Sequence, residues 1–493
     1  MPEMTSENNT ARLCTVMLML LTAAVIVQSL LLIENEGMPY LKVNLVLQLV
    51  LVVFFCIWSY LASGKLLNAP LIFIAAIYLW HSPFLTGHYF ELAKIFEWTG
   101  RHFTYGEEYV PRATGLVALC LSCGVVGTLV AYRQQSGMVR SGDRREGPAP
   151  EPVLLHRAVK RIIWFVFIGY ALLTLIYLVK EGMSALSGDY MSIYTEHSDT
   201  FLYRFYQATK FSFSLIMLAL FAFVSAGREF RYALAIALTT IFVQVLLGSR
   251  SIPFINLVAL AICIDYFIRK LPLMFLPAGF FVMSAASFII ESARVEGVLN
   301  IFRFSAQGKE IDLLHFFWEL GGVIRNVIRT MAFMGPDGIV HGQTFFNSIV
   351  YLLPKYYLDG LGFHPGIMRP SEWLVENSAD VSYGGGIGYS LVAEAYYNFG
   401  MTGCLLFVLI GWFVARTYFR YILFDDRFSL LHALNIVIIL SLHMRNDTEA
   451  YLRYIVYGSL FIELLRWLDQ RKKSTLESRP EKGPPLADGD TAC

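Results

Sequence analysis

The predicted fold depends above all on the stretch GGGIGYSLVAEAYYNFGMTG at residues 384–403, in which a long polar segment leads into a predicted membrane span. Its three consecutive glycines permit positive φ angles or a very close approach of the backbone. The residues that follow have the pattern of a helix start and carry Glu394 and Asn398 one turn apart. A carboxylate at the mouth of an apolar helix is costly unless it is paired or functional. We therefore predict a functional site here, with capping or tethering of helices as the alternative.

The composition around this stretch is that of a membrane protein. Apolar residues make up 56% of the chain and charged residues only 16%, and the mean hydropathy is +0.54. These values lie outside the range of ordinary soluble domains. The net charge of +1 gives no indication of nucleic-acid binding. The first apolar run is long enough to remain as a span, and no signal-peptide cleavage site is visible.

Apolar runs of roughly 16–22 residues recur along the chain, and each can cross about 30 Å of hydrocarbon as a helix. About twelve such runs predict an all-α polytopic membrane protein. The predicted spans are 13–33, 43–62, 70–85, 113–132, 162–179, 211–226, 232–247, 252–268, 272–290, 401–415, 428–444 and 454–467.

Segments rich in charge, Gly and Pro divide these spans into groups. The loop 133–161 predicts a flexible linker, and the tail 469–493 has the composition of a disordered segment. The stretch 291–387 contains no convincing span and predicts a large external loop or cap between the ninth and tenth spans. The predicted domains are N-terminal membrane helices (1–132, about four spans), a cytoplasmic linker (133–161), central membrane helices (162–290), the external loop (291–387), C-terminal membrane helices (388–468) and a cytoplasmic tail (469–493).

Basic residues predict the orientation. They are concentrated at 133–161, 228–231, 269–270, 416–427 and 471–473. These segments fall on one side of the membrane if the chain alternates sides at each predicted span. Because cytoplasmic loops carry the excess of Lys and Arg, both termini are predicted to be cytoplasmic.

Charged residues on the predicted external side are candidates for a site. Arg250 lies in the tight turn LGSRS at 247–251, which has room for an anion, although an arginine there also reaches lipid headgroups. The long loop presents His364, Arg369 and Trp373 among prolines and glycines.

The last external turn, HMRNDTEAYLR at 443–453, is dense in charge. It contains His443, Arg445 and Asp447 within one short stretch. A site that needs both a phosphate clamp and a proton acceptor uses these residue types, and mutual pairing is the alternative.

Four segments together resemble a known family. They are LLGSRS at 246–251, GQTFFNSIVYLLPK at 342–355, the stretch at 384–403, and HMRNDTEAYLR. In this order they are similar to the bacterial oligosaccharide repeat-unit polymerases, the Wzy family of O-antigen and exopolysaccharide assembly. The resemblance covers roughly residues 160–468, and the first four predicted spans contribute nothing specific to it.

The resemblance implies a glycosyltransferase of the C-type (GT-C-like) class in the bacterial inner membrane, with its site facing the periplasm. Such an enzyme transfers a growing glycan from an undecaprenyl diphosphate carrier to a new lipid-linked repeat unit, without a metal or other cofactor. The implied partners are lipid-linked oligosaccharides and membrane lipid, and the family also allows for a chain-length regulator. Carried over to this chain, Arg250 and Arg445 match external arginines of the family, and Glu394 lies in its Glu-x-x-x-Asn-Phe-Gly element. Arg294 and Arg369 are further candidates in the long loop.

Departure of a diphosphate builds negative charge that fixed guanidiniums stabilise. The attacking sugar hydroxyl needs a base if configuration is inverted, and the candidates for it are Glu394, Asp447 and His443. The remaining predicted contacts, to the glycan, are Asn398, His364 and Trp373.

Other functions fit the same sequence. An O-antigen ligase uses the same donor with a different acceptor, and about twelve spans also suit a flippase or other transporter. Against transport, neither half of the chain repeats the other. A metal-dependent transferase would need an acidic pair such as Glu34 and Glu36, for which we favour a solvated turn.

Overall fold

A computed structural model describes residues 4–92, 107–140, 157–181, 205–206, 209, 212–224, 227–246, 251–272, 274–275, 279, 320–335, 338–353, 358, 360, 362, 368–378, 388–424 and 426–477. Every regular element in these ranges is helical.

The first half of this fold consists of α1 (Met4–Asn35), α2 (Met38–Ser63), α3 (Ala69–His81), α4 (Pro83–Tyr89), α5 (Val110–Arg140), α6 (Arg157–Glu181), α7 (Ser212–Phe223), α8 (Arg228–Leu246) and α9 (Ser251–Phe267). The second half consists of α10 (Ile324–Met334), α11 (Gln343–Val350), α12 (Pro370–Asn377), α13 (Leu391–Phe399), α14 (Leu406–Phe424), α15 (Arg427–His443) and α16 (Thr448–Glu477). Single 3₁₀ turns occur at Glu107–Tyr109, Gly321–Val323 and Gly400–Leu405.

The membrane-spanning character is confirmed, but the predicted number of spans is not. Within the described ranges, five helical stretches are long and apolar enough to cross a membrane, and a sixth results if α3 and α4, which meet at 45°, form one broken span. The five are Arg12–Asn35, Met38–Ser63, Val110–Gln135, Val159–Tyr177 and Leu391–Ile422.

The remaining predicted spans differ in their outcome. Three of them coincide with apolar helices that are shorter than a full crossing, at Ser212–Phe223, Ile252–Phe267 and Arg427–His443. The predicted spans 232–247 and 454–467 fall on α8 and α16, which are helical but are not among the candidate spans. The span 272–290 lies almost wholly outside the described residues.

Helix α5 is the centre of the bundle, and 83% of its spanning window is buried. It runs parallel to α14, because Gly124 contacts Gly411 and, further along, Tyr132 packs against Phe419. A Cβ atom added to Gly127 would lie only 2.1 Å from the carbonyl oxygen of Val408. The two helices therefore approach so closely that only glycine fits between them.

Replacing Gly127 with valine is expected to prevent this packing. The added side chain meets backbone rather than a flexible side chain, so the helices must separate, at a cost of about 3 kcal/mol or more. The yield of monodisperse protein in detergent measures the effect. Gly169→Val on α6 is the matched control, because no atom of another described segment lies within 4 Å of its Cβ position. Equal yields of the two variants would contradict this account of α5 and α14.

Contacts define one end of the bundle. Lys65, after α2, donates to the backbone oxygen of Asp265 at 2.8 Å, and Tyr266 shares a hydrogen bond with Tyr418 at 2.7 Å. Arg427 donates to the backbone oxygen of Ala222, at the end of α7. The basic segments 269–270 and 416–427 therefore lie together at this end.

The opposite end contains the start of α5. Arg112 forms an ion pair with Glu36 at 2.5 Å, in the turn between α1 and α2. Helix α10 contacts both the 3₁₀ turn before α5 and helix α13, and Gly321 packs against the backbone of Phe84 in α4. Helices α4, α10 and α13 therefore meet at the end that lies away from the basic segments.

Candidate functional site

The start of α13 is fixed to the end of α3. The Ser390 hydroxyl oxygen accepts from the backbone N–H of Val392 at 3.1 Å and from that of Ala393 at 3.3 Å. The Nε2 atom of the buried His81 lies 2.8 Å from the same hydroxyl. Because Ser390 caps α13 and also binds α3, the first turn of α13 has a defined position, and Glu394 lies in that turn.

Glu394 is completely buried (0% exposed), and its carboxylate joins three helices. Oε1 accepts from the Thr344 hydroxyl of α11 at 2.7 Å. Oε2 accepts from the backbone N–H of Thr448 at 2.7 Å and from its hydroxyl at 2.8 Å. Thr448 is the first residue of α16, where backbone amides lack intrahelical partners and a negative charge is favourable. In this structure Glu394 therefore tethers α11 and α16 to α13.

Asn398 supports the same junction from one turn further along α13. Its Nδ2 donates to the Thr344 hydroxyl at 2.7 Å and to the backbone oxygen of Glu394 at 2.8 Å. Its Oδ1 accepts from the backbone N–H of Thr344 at 3.3 Å. The residue that precedes α11, Gly342, has no side chain to cap it, so Asn398 satisfies an amide in the first turn of α11.

His443 ends α15 beside this carboxylate. Its Nε2 lies 3.0 Å from the Thr448 hydroxyl and 3.8 Å from Oε2 of Glu394. The imidazole stacks on Tyr451, with ring centroids 6.0 Å apart and planes 18° apart. His443 is only 3% exposed, so it belongs to the buried side of the site.

Asp447 and Glu449 flank Thr448 in the sequence and lie next to Arg369. The Ser371 hydroxyl donates to Oδ2 of Asp447, and Arg369 forms an ion pair with Glu449. The Arg369 side chain remains 41% exposed, whereas that of Glu449 is 6% exposed. Burial raises the pKa of the Glu449 carboxyl above its ordinary value, although the Arg369 guanidinium acts in the opposite direction. The cation therefore faces outward and the carboxylates lie behind it.

Arg445 is exposed, and its guanidinium lies over the ring of Trp80, 5.9 Å from the centroid. Its backbone oxygen accepts from the N–H of Tyr389 at 3.0 Å. Gly388 has φ +71, and a Cβ atom there would lie 2.7 Å from this oxygen. A glycine is required at this contact, although the predicted glycine run 384–386 itself lies outside the described residues.

The structure brings most of the predicted residues to one place. Glu394, Asn398 and His443 belong to one hydrogen-bonded cluster that also contains Thr344 and Thr448. We call these five residues the carboxylate junction. Arg445 and Asp447 lie in the turn just before Thr448, and Arg369 pairs with Glu449, the residue just after it. Trp373 packs against Tyr397 of α13 with ring centroids 4.6 Å apart. The other predicted residues, which lie outside the described part of the chain, are Arg250, Arg294 and His364.

Sequence reasoning missed the residues that connect the predicted ones. Thr344, Ser371, Thr448 and Glu449 each bind a predicted site residue. A hydroxyl residue near a helix start is a recognisable signal, and Thr344, Ser371 and Thr448 each occupy such a position. The identity of the partner depends on tertiary structure and could not be read from this signal.

Two further observations concern a possible metal site and a cavity at the start of α11. Among the residues that the structure describes, no three His, Cys, Asp or Glu side chains form a group suited to a metal ion, and Glu36 is paired with Arg112. An open cavity of about 630 Å³ lies at the start of α11, lined by Ile339, Val340, His341, Gly342, Gln343 and Phe346. None of the predicted site residues lines it.

The arrangement combines two outward-facing guanidiniums with buried carboxylates and an imidazole, which suits an anion site next to a proton acceptor. A family model described as O-antigen polysaccharide polymerase Wzy matches residues 13–468. No curated protein and no solved structure gives a significant match.

Proposed function

The chain belongs to the O-antigen polysaccharide polymerase Wzy family, and from this membership we propose that it polymerises undecaprenyl-diphosphate-linked oligosaccharide repeat units. The growing glycan is transferred from its carrier to a newly arrived lipid-linked repeat on the periplasmic side. The observation that carries the proposal is that three of the predicted site residues lie next to Thr448 of the carboxylate junction at one end of the helical bundle: Arg445 and Asp447 in the turn just before it, and Arg369 paired with Glu449 just after it.

Arg445 and Arg369 are proposed to bind the diphosphate. A guanidinium stays charged and presents parallel N–H donors that match phosphate oxygens. Arg369 forms an ion pair with Glu449, so a diphosphate that binds Arg369 competes with this carboxylate. The ion pair with Glu449 also keeps the Arg369 guanidinium oriented before the substrate binds, which lowers the entropic cost of ordering this side chain on binding.

Asp447 is proposed as the proton acceptor. The acceptor sugar's hydroxyl oxygen forms a bond to the anomeric carbon, the bond from that carbon to the diphosphate oxygen breaks, and the hydroxyl proton passes to Asp447. The leaving diphosphate takes the bonding electrons, and its charge is stabilised by the arginines. Asp447 is preferred to Glu394 and His443 because it lies beside Arg369, a proposed ligand of the diphosphate, whereas Glu394 and His443 are engaged by the Thr448 hydroxyl.

The membrane orientation is also a proposal. We place the site end in the periplasm and both termini in the cytoplasm of a bacterial inner membrane. The support is that basic segments 269–270 and 416–427 lie at the end of the bundle away from the site, as expected for a cytoplasmic face.

Reconstitution tests this function. The purified protein is placed in vesicles that contain one lipid-linked repeat unit, and the products are separated by size. A ladder of products that differ by one repeat is expected, with or without a chelator. Loss of the ladder on adding a chelator would favour the metal-dependent alternative. Transfer only to a lipid A-core acceptor would identify a ligase, and movement of the substrate across the bilayer without new glycosidic bonds would identify a transporter. Either result would contradict the proposal.

A further inference from the structure

We propose that Thr448 is a positioning residue for the transfer reaction, because its single hydroxyl links Glu394 to His443 across the turn that carries Arg445 and Asp447. This inference rests on the function proposed above. It assigns a role to a residue that itself lies behind the reacting groups.

The hydroxyl has a defined direction. It lies 2.8 Å from Oε2 of Glu394 and 3.0 Å from Nε2 of His443. An ionised carboxylate only accepts hydrogen bonds, so the single hydroxyl proton is directed to Glu394. The hydroxyl oxygen then accepts from His443, whose Nε2 carries the proton of this hydrogen bond.

The hydroxyl does something that the backbone of Thr448 cannot do. The backbone N–H already binds Glu394 at 2.7 Å, and any residue except proline would supply this bond. Only the hydroxyl reaches His443, the last residue of α15. Both ends of the turn 444–447 are therefore fixed to one carboxylate, and this turn carries Arg445 and Asp447.

The contacts of this hydroxyl distinguish it from an ordinary helix cap. A capping threonine accepts from amides of its own helix, two or three residues later. Both hydrogen bonds of the Thr448 hydroxyl within the described part of the chain go instead to other helices, α13 and α15. Its role is to connect helices rather than to end one.

Thr448→Val tests the proposal, because valine has the same shape and keeps the backbone N–H. In reconstituted vesicles we expect kcat to fall about 10- to 100-fold, since a small displacement of reacting groups has effects of this size. The KM for the lipid-linked repeat should change less than about threefold, because the exposed side chains of Arg445 and Arg369 still bind it. Thr448→Ser restores the hydroxyl and should return kcat to within about threefold of wild type.

The matched control is Thr114→Val. Thr114 is a buried threonine near the same end of the bundle, and among the described residues its hydroxyl bonds only within its own helix, to the backbone oxygen of Val110. This variant should retain wild-type kcat. Wild-type kcat in Thr448→Val would overturn the proposal, as would an equal loss in the valine and serine variants.

A second variant covers the case in which Thr448→Val does not fold. His443→Phe keeps a ring that can stack on Tyr451 but removes Nε2, the partner of the hydroxyl. It should reproduce the loss of kcat, and combining it with Thr448→Val should add little further loss, because both variants break the same link. Fully additive losses, or wild-type kcat in His443→Phe, would overturn the inference.

If wild-type protein forms no ladder, the proposed function fails instead, and this outcome is distinct from a ladder that Thr448→Val leaves unchanged.

Discussion

Replacing Arg445 with alanine is expected to reduce polymerisation about 10²- to 10³-fold while leaving the amount of folded protein unchanged. Removing one fixed donor from a site of developing negative charge has effects of this size. Folding should be preserved because the side chain is exposed and the turn is tied to Tyr389 through the backbone oxygen of Arg445. Arg445→Lys keeps the charge but loses the planar pair of donors, so it should recover only part of the activity.

The measurement is the rate of ladder formation in vesicles, normalised to folded protein from size-exclusion chromatography. Arg416→Ala is a matched control, because Arg416 is also exposed and lies 4.9 Å from a tryptophan ring centroid, that of Trp412. It belongs to the basic segment 416–427 at the other end of the bundle. Comparable losses in both variants would show that the effect is not specific to the proposed diphosphate site.

Replacing Glu394 with glutamine is expected to lower stability and activity together. The carboxylate accepts from two hydroxyls and one backbone amide, and a glutamine amide presents a donor where one of these donors now points. A buried polar group left without a partner costs about 1–3 kcal/mol, and the favourable charge at the start of α16 is lost as well. The turn with Arg445 and Asp447 is then displaced, so activity per folded molecule should fall by about 10²-fold.

Thermal unfolding in detergent, followed by the loss of monodisperse protein, measures the stability term, and ladder formation measures the activity. Glu463→Gln is the control on the same helix bundle. The Glu463 side chain is 53% exposed and pairs with His432 and Arg466, so its loss should change stability by less than about 1 kcal/mol. Wild-type stability in Glu394→Gln would show that the carboxylate junction does not depend on the charge.

The membrane class of the fold could be predicted because apolar runs of sufficient length have few alternatives to a spanning helix. The number of spans could not. Within the described residues, helices α7, α9 and α15 contain 12, 17 and 17 residues, which is shorter than the roughly 20 needed for a full crossing. Helix α16 mixes charged residues with exposed apolar ones such as Leu460 and Leu464, so its average hydropathy conceals its apolar face.

The candidate site could be predicted in part, and for a definite reason. Glu394, Arg445 and Asp447 stand out because charge is costly among apolar helices, whatever the fold. The partners of these residues do not stand out. Thr344 and Thr448 are ordinary residue types, and only the meeting of α11, α13 and α16 gives their hydroxyls a carboxylate to bind. The contacts of the two predicted residues in the long loop depend on tertiary structure in the same way. Arg369 pairs with Glu449, whereas Trp373 packs on Tyr397.

The carboxylate junction has a consequence for biosynthesis. During insertion into the membrane, Glu394 is synthesised well before Thr448. A nascent chain therefore carries this carboxylate before the start of α16 can donate hydrogen bonds to it. The acid must remain hydrated, or proton-bound, until the last helix emerges from the ribosome and docks. A truncated product that lacks α16 therefore keeps the hydrogen bond from Thr344 to Oε1 but loses both hydrogen bonds that Thr448 donates to Oε2, so half of a buried carboxylate is left without its partners.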